Sequence, residues 1–276
     1  MRFTYAAESH VGHVRDTNED SGFAGPHLLL VADGVGGAPA GEVASASVAF
    51  VMSAISLTPR GSLRAAPSDL LAVLRESVQY AFRQLREGVA TDPERAGMAT
   101  TLTAILTDGE RFGLAHIGNS RAYLLRRGQL SQLTTDHTFV QFLVDEGRIT
   151  PEQVRDHPFQ SVITRSVSST DEHEPDLALL DLQAGDRVLL CSDGLTDLVS
   201  DNDIGSCLTS TPRTGAVQGL IRSALEAGGR DNVTCVVGDV DSRPLLPWTR
   251  RCYYCRMVGA LPQLGNLIDP AVPRAA

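Results

Sequence analysis

Apolar positions along this chain follow two periods, and the switches between them mark out the elements. Short apolar runs at residues 3–8 and 27–33 predict strands. Between residues 40 and 57, Ala44, Val48, Val51, Met52 and Ile55 fall at helical spacing. Leu71, Leu74, Val78, Phe82 and Leu85 repeat that stripe, so two core-facing helices are expected. Strands follow at residues 100–106, 111–117, 121–126 and 129–133, with Asp108-Gly109 and Arg127-Gly128 as hairpin turns. This series predicts an antiparallel meander. Residues 136–170 are mixed: Phe139, Phe142 and Leu143 suit a short helix and Pro151 opens another, giving a flap-like surface segment. Strands at 176–182 and 187–192, helices at 200–208 and 214–227 and a last strand at 233–240 complete the pattern. The order predicts an α+β fold, helices covering antiparallel sheets, in one domain over residues 1–240. After Val240 the periodicity stops. The tail, residues 241–276, carries Pro244, Pro247, Pro262, Pro270 and Pro273 and is expected to be mostly disordered or loosely attached. No internal repeat is present.

Three segments set an acidic residue at or beside an apolar run: Leu28 to Gly34, Val188 to Gly194 and Gly229 to Thr234, with Asp33, Asp193 and Asp231. A carboxylate at the rim of a core is costly unless it is hydrogen-bonded, paired or bound to a cation. Any one of these aspartates alone reads best as a turn or helix cap. Together with Asp20 in the run Arg15 to Ser21, they point to a shared cation instead. No histidine pair or cysteine cluster accompanies them, and an oxygen-only donor set suits Mg2+ or Mn2+ better than zinc or copper. Gly34 and Gly194, directly after two of the aspartates, are expected to let the chain turn sharply at a strand end.

Composition narrows the chemistry further. The 24 basic residues are all arginine. Without lysine there is no Walker loop, no kinase-type ATP lysine and no Schiff base, so a phosphate must be held by arginine, backbone or metal. The net charge is −9, and the tail's five Arg and two Asp leave −12 on residues 1–240. That balance argues against nucleic acid or an anionic membrane as partner. The apolar stretch 257–268 is broken by Pro262 and Gly265, so no membrane span is expected. The first residues lack the regions of a secretory signal, and Cys191, Cys207 and Cys235 sit in apolar surroundings. Buried thiols and the cytoplasm are the expectation.

The runs Arg15 to Ser21, Val31 to Ser45, Gly97 to Thr101, His116 to Arg121, Cys191 to Gly194 and Arg230 to Thr234 stand in the order found in bacterial metal-dependent protein phosphatases of the PPM (type 2C) family, which this chain resembles from about Tyr5 to Val240. The resemblance implies a four-layer αββα sandwich, two stacked antiparallel sheets flanked by helices, with a two-metal site in a cleft at one end. It implies that Asp33 bridges two ions, that Gly34 offers its carbonyl, that Asp193 and Asp231 complete one coordination sphere, and that Asp20 acts near the second ion. Glu19 is its neighbour. Arg15 matches the arginine that clamps phosphate, for which a guanidinium fork is suited. The implied reaction is hydrolysis of phosphoserine and phosphothreonine in proteins by a water or hydroxide between two Mn2+ or Mg2+ ions, opposing bacterial Ser/Thr kinases, in a monomer. The alternatives are a weakened relative that binds phosphoproteins as a regulator, and a phosphatase of anti-sigma-factor antagonists.

Two positions depart from the family pattern. Ala38 stands where the family usually has a histidine as general acid, and His13 is the nearest substitute in sequence. Asn119 stands where the family usually has an aspartate for a third ion. Without that charge a third ion should bind weakly at Asn119 and at Ser161, its other candidate ligand by position. Two rival signals are set aside. Cys207 to Arg213 has the Cys-x5-Arg spacing of cysteine phosphatases but no glycine, and Pro212 removes an amide needed to cradle phosphate. Cys252 and Cys255 form a lone CxxC with no second pair.

Overall fold

The structure is a computed structural model that describes residues 1–57, 69–155, 157–244 and 255–268, with the side chains of residues 55–57 and 264 outside the described set. Two antiparallel sheets stack face to face. The first takes β1 (Arg2–His10), β12 (Val233–Asp241), β11 (Arg187–Cys191), β7 (Arg121–Arg126) and β8 (Gln129–Gln132) in that order. The second takes β10 (Asp176–Leu180), β6 (Phe112–Ile117), β5 (Leu102–Thr107), β3 (Leu28–Asp33), β2 (Asp20–Ala24) and β13 (Arg256–Gly259). A small pair joins β4 (Ala99–Thr100) to β9 (Val167–Ser168).

The unbroken apolar run in β3 follows from burial on both faces. Leu28, Leu30 and Ala32 enter the core under helices α1 (Gly41–Leu57) and α2 (Leu70–Thr91), while Leu29 and Val31 enter the core between the sheets. α3 (Phe139–Asp145) lies in the segment 136–170. β11 repeats the logic of β3. Val188 and Leu190 face the inter-sheet core; Leu189 and Cys191 face a third core under α4 (Asp193–Thr196), α5 (Asp201–Ser210) and α6 (Arg213–Glu226). Each such buried Leu or Val contributes about 1.5–3 kcal/mol of transfer free energy. Asp69 caps α2, its carboxylate accepting from Leu71 N and Ala72 N at 3.1 Å. The result is the expected α+β sandwich of four layers.

Two sequence expectations change. The strand series is not one meander: β5–β6 and β7–β8 are hairpins, but β6 belongs to one sheet and β7 to the other. The link at residues 118–120 therefore crosses between sheets, with Gly118 at φ +112°. The tail also differs. Residues 255–268 pack on the body, with β13 paired to β2 and Ala260, Leu261 and Ile268 buried. Apolar side chains at Val258, Leu261 and Ile268 offset the ordering entropy that the prolines suggested would go uncompensated. Residues 245–254 and 269–276, with Cys252 of the CxxC, lie outside the described residues.

Candidate metal centre

The aspartates meet at one end of the sandwich because two come from each sheet. Asp20 opens β2 and stands opposite Asp33, the last residue of β3. Asp193 opens α4 directly after β11, and Asp231 sits just before β12. Backbone and hydroxyl contacts fix the parts. Thr100 Oγ1 and Thr101 N donate to the Asp33 carbonyl at 2.8 Å, and Asp33 N donates to Thr101 Oγ1 at 3.0 Å. Ser192 Oγ donates to Asp20 Oδ2 at 2.7 Å and accepts from Thr234 N at 2.9 Å, tying the two sheets together beside the site. Asn232 latches the loop that carries Arg15 and Glu19. Its Oδ1 accepts from Glu19 N at 2.7 Å and its Nδ2 donates to the carbonyls of Val11 and Thr17 at 2.9 Å.

The glycines serve closeness rather than unusual torsion. Neither Gly34 nor Gly194 has a positive φ. A Cβ on Gly34 would lie 2.7 Å from the Gly41 carbonyl oxygen, and one on Gly194 would lie 1.9 Å from that of Asn232. Each glycine lets two backbone segments touch next to a candidate metal-site residue.

The electrostatics are those of crowded like charges. Burial pushes the Asp20 carboxyl up to about 7, against hydrogen bonds from Ser192 and Thr234 that pull it down. Burial, then the charges of Asp20, Asp193 and Asp231, raises Asp33 well above the carboxylate range. Burial and Asp231 raise Asp193. A divalent cation reverses every one of these penalties. The residues fit such an ion: all donors are oxygens, and Asp20 Oδ1, fully buried, has no hydrogen-bond partner. The Asp33 carboxyl reaches hydrogen-bonding distance of both Asp20 and Asp193, and among the described residues no three His, Cys, Asp or Glu side chains form a closed metal cluster. Asp231 Oδ2 instead accepts from Arg15 Nη2 at 2.8 Å.

Arg15 lies over the loop after Gly34, with Nη2 3.4 Å from where a Gly36 Cβ would be. Ala38 in that loop closes a turn, its N–H donating to Val35 O at 3.1 Å. His13 is exposed and rests against Gly229 on the Asp231 loop. Asn119 is 6% exposed; its Nδ2 donates to Asp193 Oδ2 at 2.8 Å, and its Oδ1 is buried with no hydrogen-bond partner. Ser161 is exposed on the flap. A cleft of ≈ 200 Å³ opens beside Asn119 and Asp193, walled by Val154, Arg155 and Gln160 of the flap and floored by Asp197 and Asp201. Arg121 closes the base of the flap on Asp136 at 2.7 Å. The rival Cys-x5-Arg run does not form a loop: Cys207 is inside α5, and Arg213 begins α6 and pairs with Asp239 at 3.5 Å.

Sequence reasoning singled out the aspartates but gave no role to Ser192, Thr100, Thr101 or Asn232. All four lie inside the runs that carry the family resemblance, and their contribution is hydrogen bonding across sheets, which no linear spacing shows.

The model of the protein phosphatase 2C family matches residues 13–226. The chain belongs to that family. It is 50% identical over 236 residues to the serine/threonine protein phosphatase PstP of Mycobacterium tuberculosis, covering 86% of this chain and 45% of PstP. It therefore spans a little under half the length of that relative. It is 34% identical over 230 residues to the protein phosphatase PhpP of Streptococcus pneumoniae, covering 81% of this chain and 92% of PhpP. The crystal structure of M. tuberculosis PstP superposes with a TM-score of 0.79 at 48% identity, covering 87% of this chain and all of the PstP chain. A structure of the PstP catalytic domain with two manganese ions superposes at 0.76, with 48% identity and coverage of 87% and 99%. No described helix is long and apolar enough to cross a membrane.

Proposed function

We propose that this chain hydrolyses phosphoserine and phosphothreonine in proteins at a two-ion Mn2+ or Mg2+ centre held by Asp20, Asp33, Gly34, Asp193 and Asp231. The observation that carries this reading is Asp20 Oδ1, a fully buried acceptor without a partner among raised, mutually repelling carboxylates. When bound, the ions supply an activated water and neutralise charge on the phosphoryl oxygens. Arg15 holds the phosphate with its guanidinium fork, at the mouth of the site where its partner Asp231 is also reached by solvent. Asn232 orients the Arg15 loop, and Thr100 and Thr101 orient Asp33. The Ala38 loop offers no titratable side chain for the leaving alkoxide, so that proton comes from solvent in the cleft.

The catalytic domain is residues 1–240 with the flap at 136–170, and phosphorylated proteins, including Ser/Thr kinases and their targets, are its partners. Cys191 and Cys235, facing each other across β11 and β12 as buried thiols, support a reducing compartment, the cytoplasm. The test is hydrolysis of a phosphothreonine peptide with Mn2+ and with chelator, for the wild type and Asp193→Asn. Turnover that needs Mn2+ and vanishes in D193N, with the circular dichroism unchanged, supports the reading. Peptide binding without turnover in the wild type would favour the regulator suggested by Ala38 and Asn119.

A further inference from the structure

Residues 255–268 lie outside the family match, yet they touch the candidate metal centre. We infer that this segment is a built-in strap that positions the metal-site carboxylate Asp20, an inference that rests on the two-ion reading above. β13 pairs antiparallel with β2, Arg256 opposite Ala24 and Gly259 opposite Ser21. At the next step Ala260 N donates to the Asp20 carbonyl at 2.7 Å. Gly259 has φ +74°, and a Cβ there would lie 2.1 Å from the Asp20 carbonyl oxygen. Only a glycine lets the strap pass this close. Val258 Cγ2 fills the space over Gly22, 2.7 Å from where a Cβ would stand.

The other end is anchored far from the site. Leu261 is 2% exposed. Ile268 N donates to Ser47 Oγ of α1 at 3.1 Å, and Ile268 Cδ1 lies over Gly88 of α2. The strap therefore spans from the edge of β2 to the helix layer. Its consequence for the site is direct. Asp20 is the first residue of β2, held on one side by Asp33 of β3 and on the other by Ala260. Without the strap β2 becomes an edge strand, and its terminal residue is where such a strand opens most readily. Asp20 Oδ1, buried without a hydrogen-bond partner, then loses its fixed position.

Two variants test this: the chain ended after Arg243, and Gly259→Ala in the full chain, with Mn2+ affinity read by titration calorimetry. Outer support of a metal ligand is commonly worth 10- to 100-fold in affinity, so each variant should bind Mn2+ about 10-fold more weakly. Turnover at saturating Mn2+ should stay near that of the wild type. If the shortened chain does not fold, G259A decides alone. Variants that fold and bind Mn2+ within about twofold of the wild type, with only the melting temperature lowered, would show that the strap serves stability and overturn the inference. A wild type that takes up no Mn2+ would overturn the two-ion reading itself, and the strap's role with it.

Discussion

Arg15 and Asp231 form an ion pair, Nη2 to Oδ2 at 2.8 Å, with side chains 45% and 40% exposed. The pair joins the phosphate-holding candidate to a metal-ligand candidate across the mouth of the site. Its partner raises the Arg15 guanidinium still further above neutral pH, first through the hydrogen bond and then through charge.

An exposed pair of this kind contributes little to stability, about 0–1 kcal/mol. Arg15→Ala should therefore leave the melting temperature nearly unchanged while kcat/KM on a phosphopeptide falls about 10- to 100-fold, the worth of a charge-assisted hydrogen bond. Lysine at this position should recover only part of the loss, because it lacks the two-pronged fork. Steady-state kinetics beside thermal melts separate the outcomes, and an R15A protein that loses stability but keeps kcat/KM would sink the clamp assignment.

Asp33 carries the opposite message about stability. Its folded pKa is raised by burial and by Asp20, Asp193 and Asp231. Between the unfolded and folded values the native state binds more protons than the unfolded chain, so this group's contribution to stability falls as pH rises through that window. In chelator at neutral pH, Asp33→Asn should be at least as stable as the wild type. With Mn2+ the order should invert, since the ion stabilises only the protein that can bind it. Melting curves of both proteins, with chelator and with Mn2+, give four values; equal Mn2+ shifts for the two would refute Asp33 as a ligand.

Asp33, Asp193 and Asp231 were legible in sequence because each ends or adjoins a run that is apolar on both faces, whereas Asp20 was picked out only within the polar run Arg15 to Ser21. Such runs must be central strands, and a charge at their tips is conspicuous. β2 was not legible. Its sequence Asp20-Ser21-Gly22-Phe23-Ala24 is fully buried without alternating, since Gly22 is filled by side chains from β12 and β13 rather than by its own. β13 was hidden for a related reason: four residues among prolines carry no period, and its stability comes from Leu261 and Ile268 farther along. The sheet change at Gly118 was equally invisible, because a three-residue link reads as a hairpin until the register of its strands is known.

His116 and His137 lie against each other where the flap begins, ring centroids 4.8 Å apart. Burial, then His137, pushes His116 down to about 4. Thr103 Oγ1 at 2.9 Å and the Thr135 carbonyl at 3.0 Å flank its ring, while Asp176 and Arg165 meet His137. The unfolded chain takes up this proton near pH 6.5 and the folded one only near 4, so stability falls as pH drops through that window, by up to about 3 kcal/mol. His116→Gln should flatten the wild-type slope between those limits. Urea denaturation at stepped pH measures it, and identical slopes would mean that His116 is not held neutral.

Gly194 directly follows Asp193, and its α-carbon faces the Asn232 carbonyl so closely that a methyl group would lie 1.9 Å from the oxygen. Backbone stands on both sides of that contact, so no side-chain rotation relieves it. Gly194→Ala must push α4 away from the Asn232 turn. The same turn holds Glu19 N and the carbonyls of Val11 and Thr17, so displacement there moves Asp193, Asp231 and the Arg15 loop relative to one another. Overpacking of this kind costs about 1–3 kcal/mol. Mn2+ affinity should fall together with stability, because one displacement causes both. Calorimetric Mn2+ titration and thermal melts of G194A check the pairing; a destabilised variant with wild-type Mn2+ affinity would show that the turn does not set the spacing of the two aspartates.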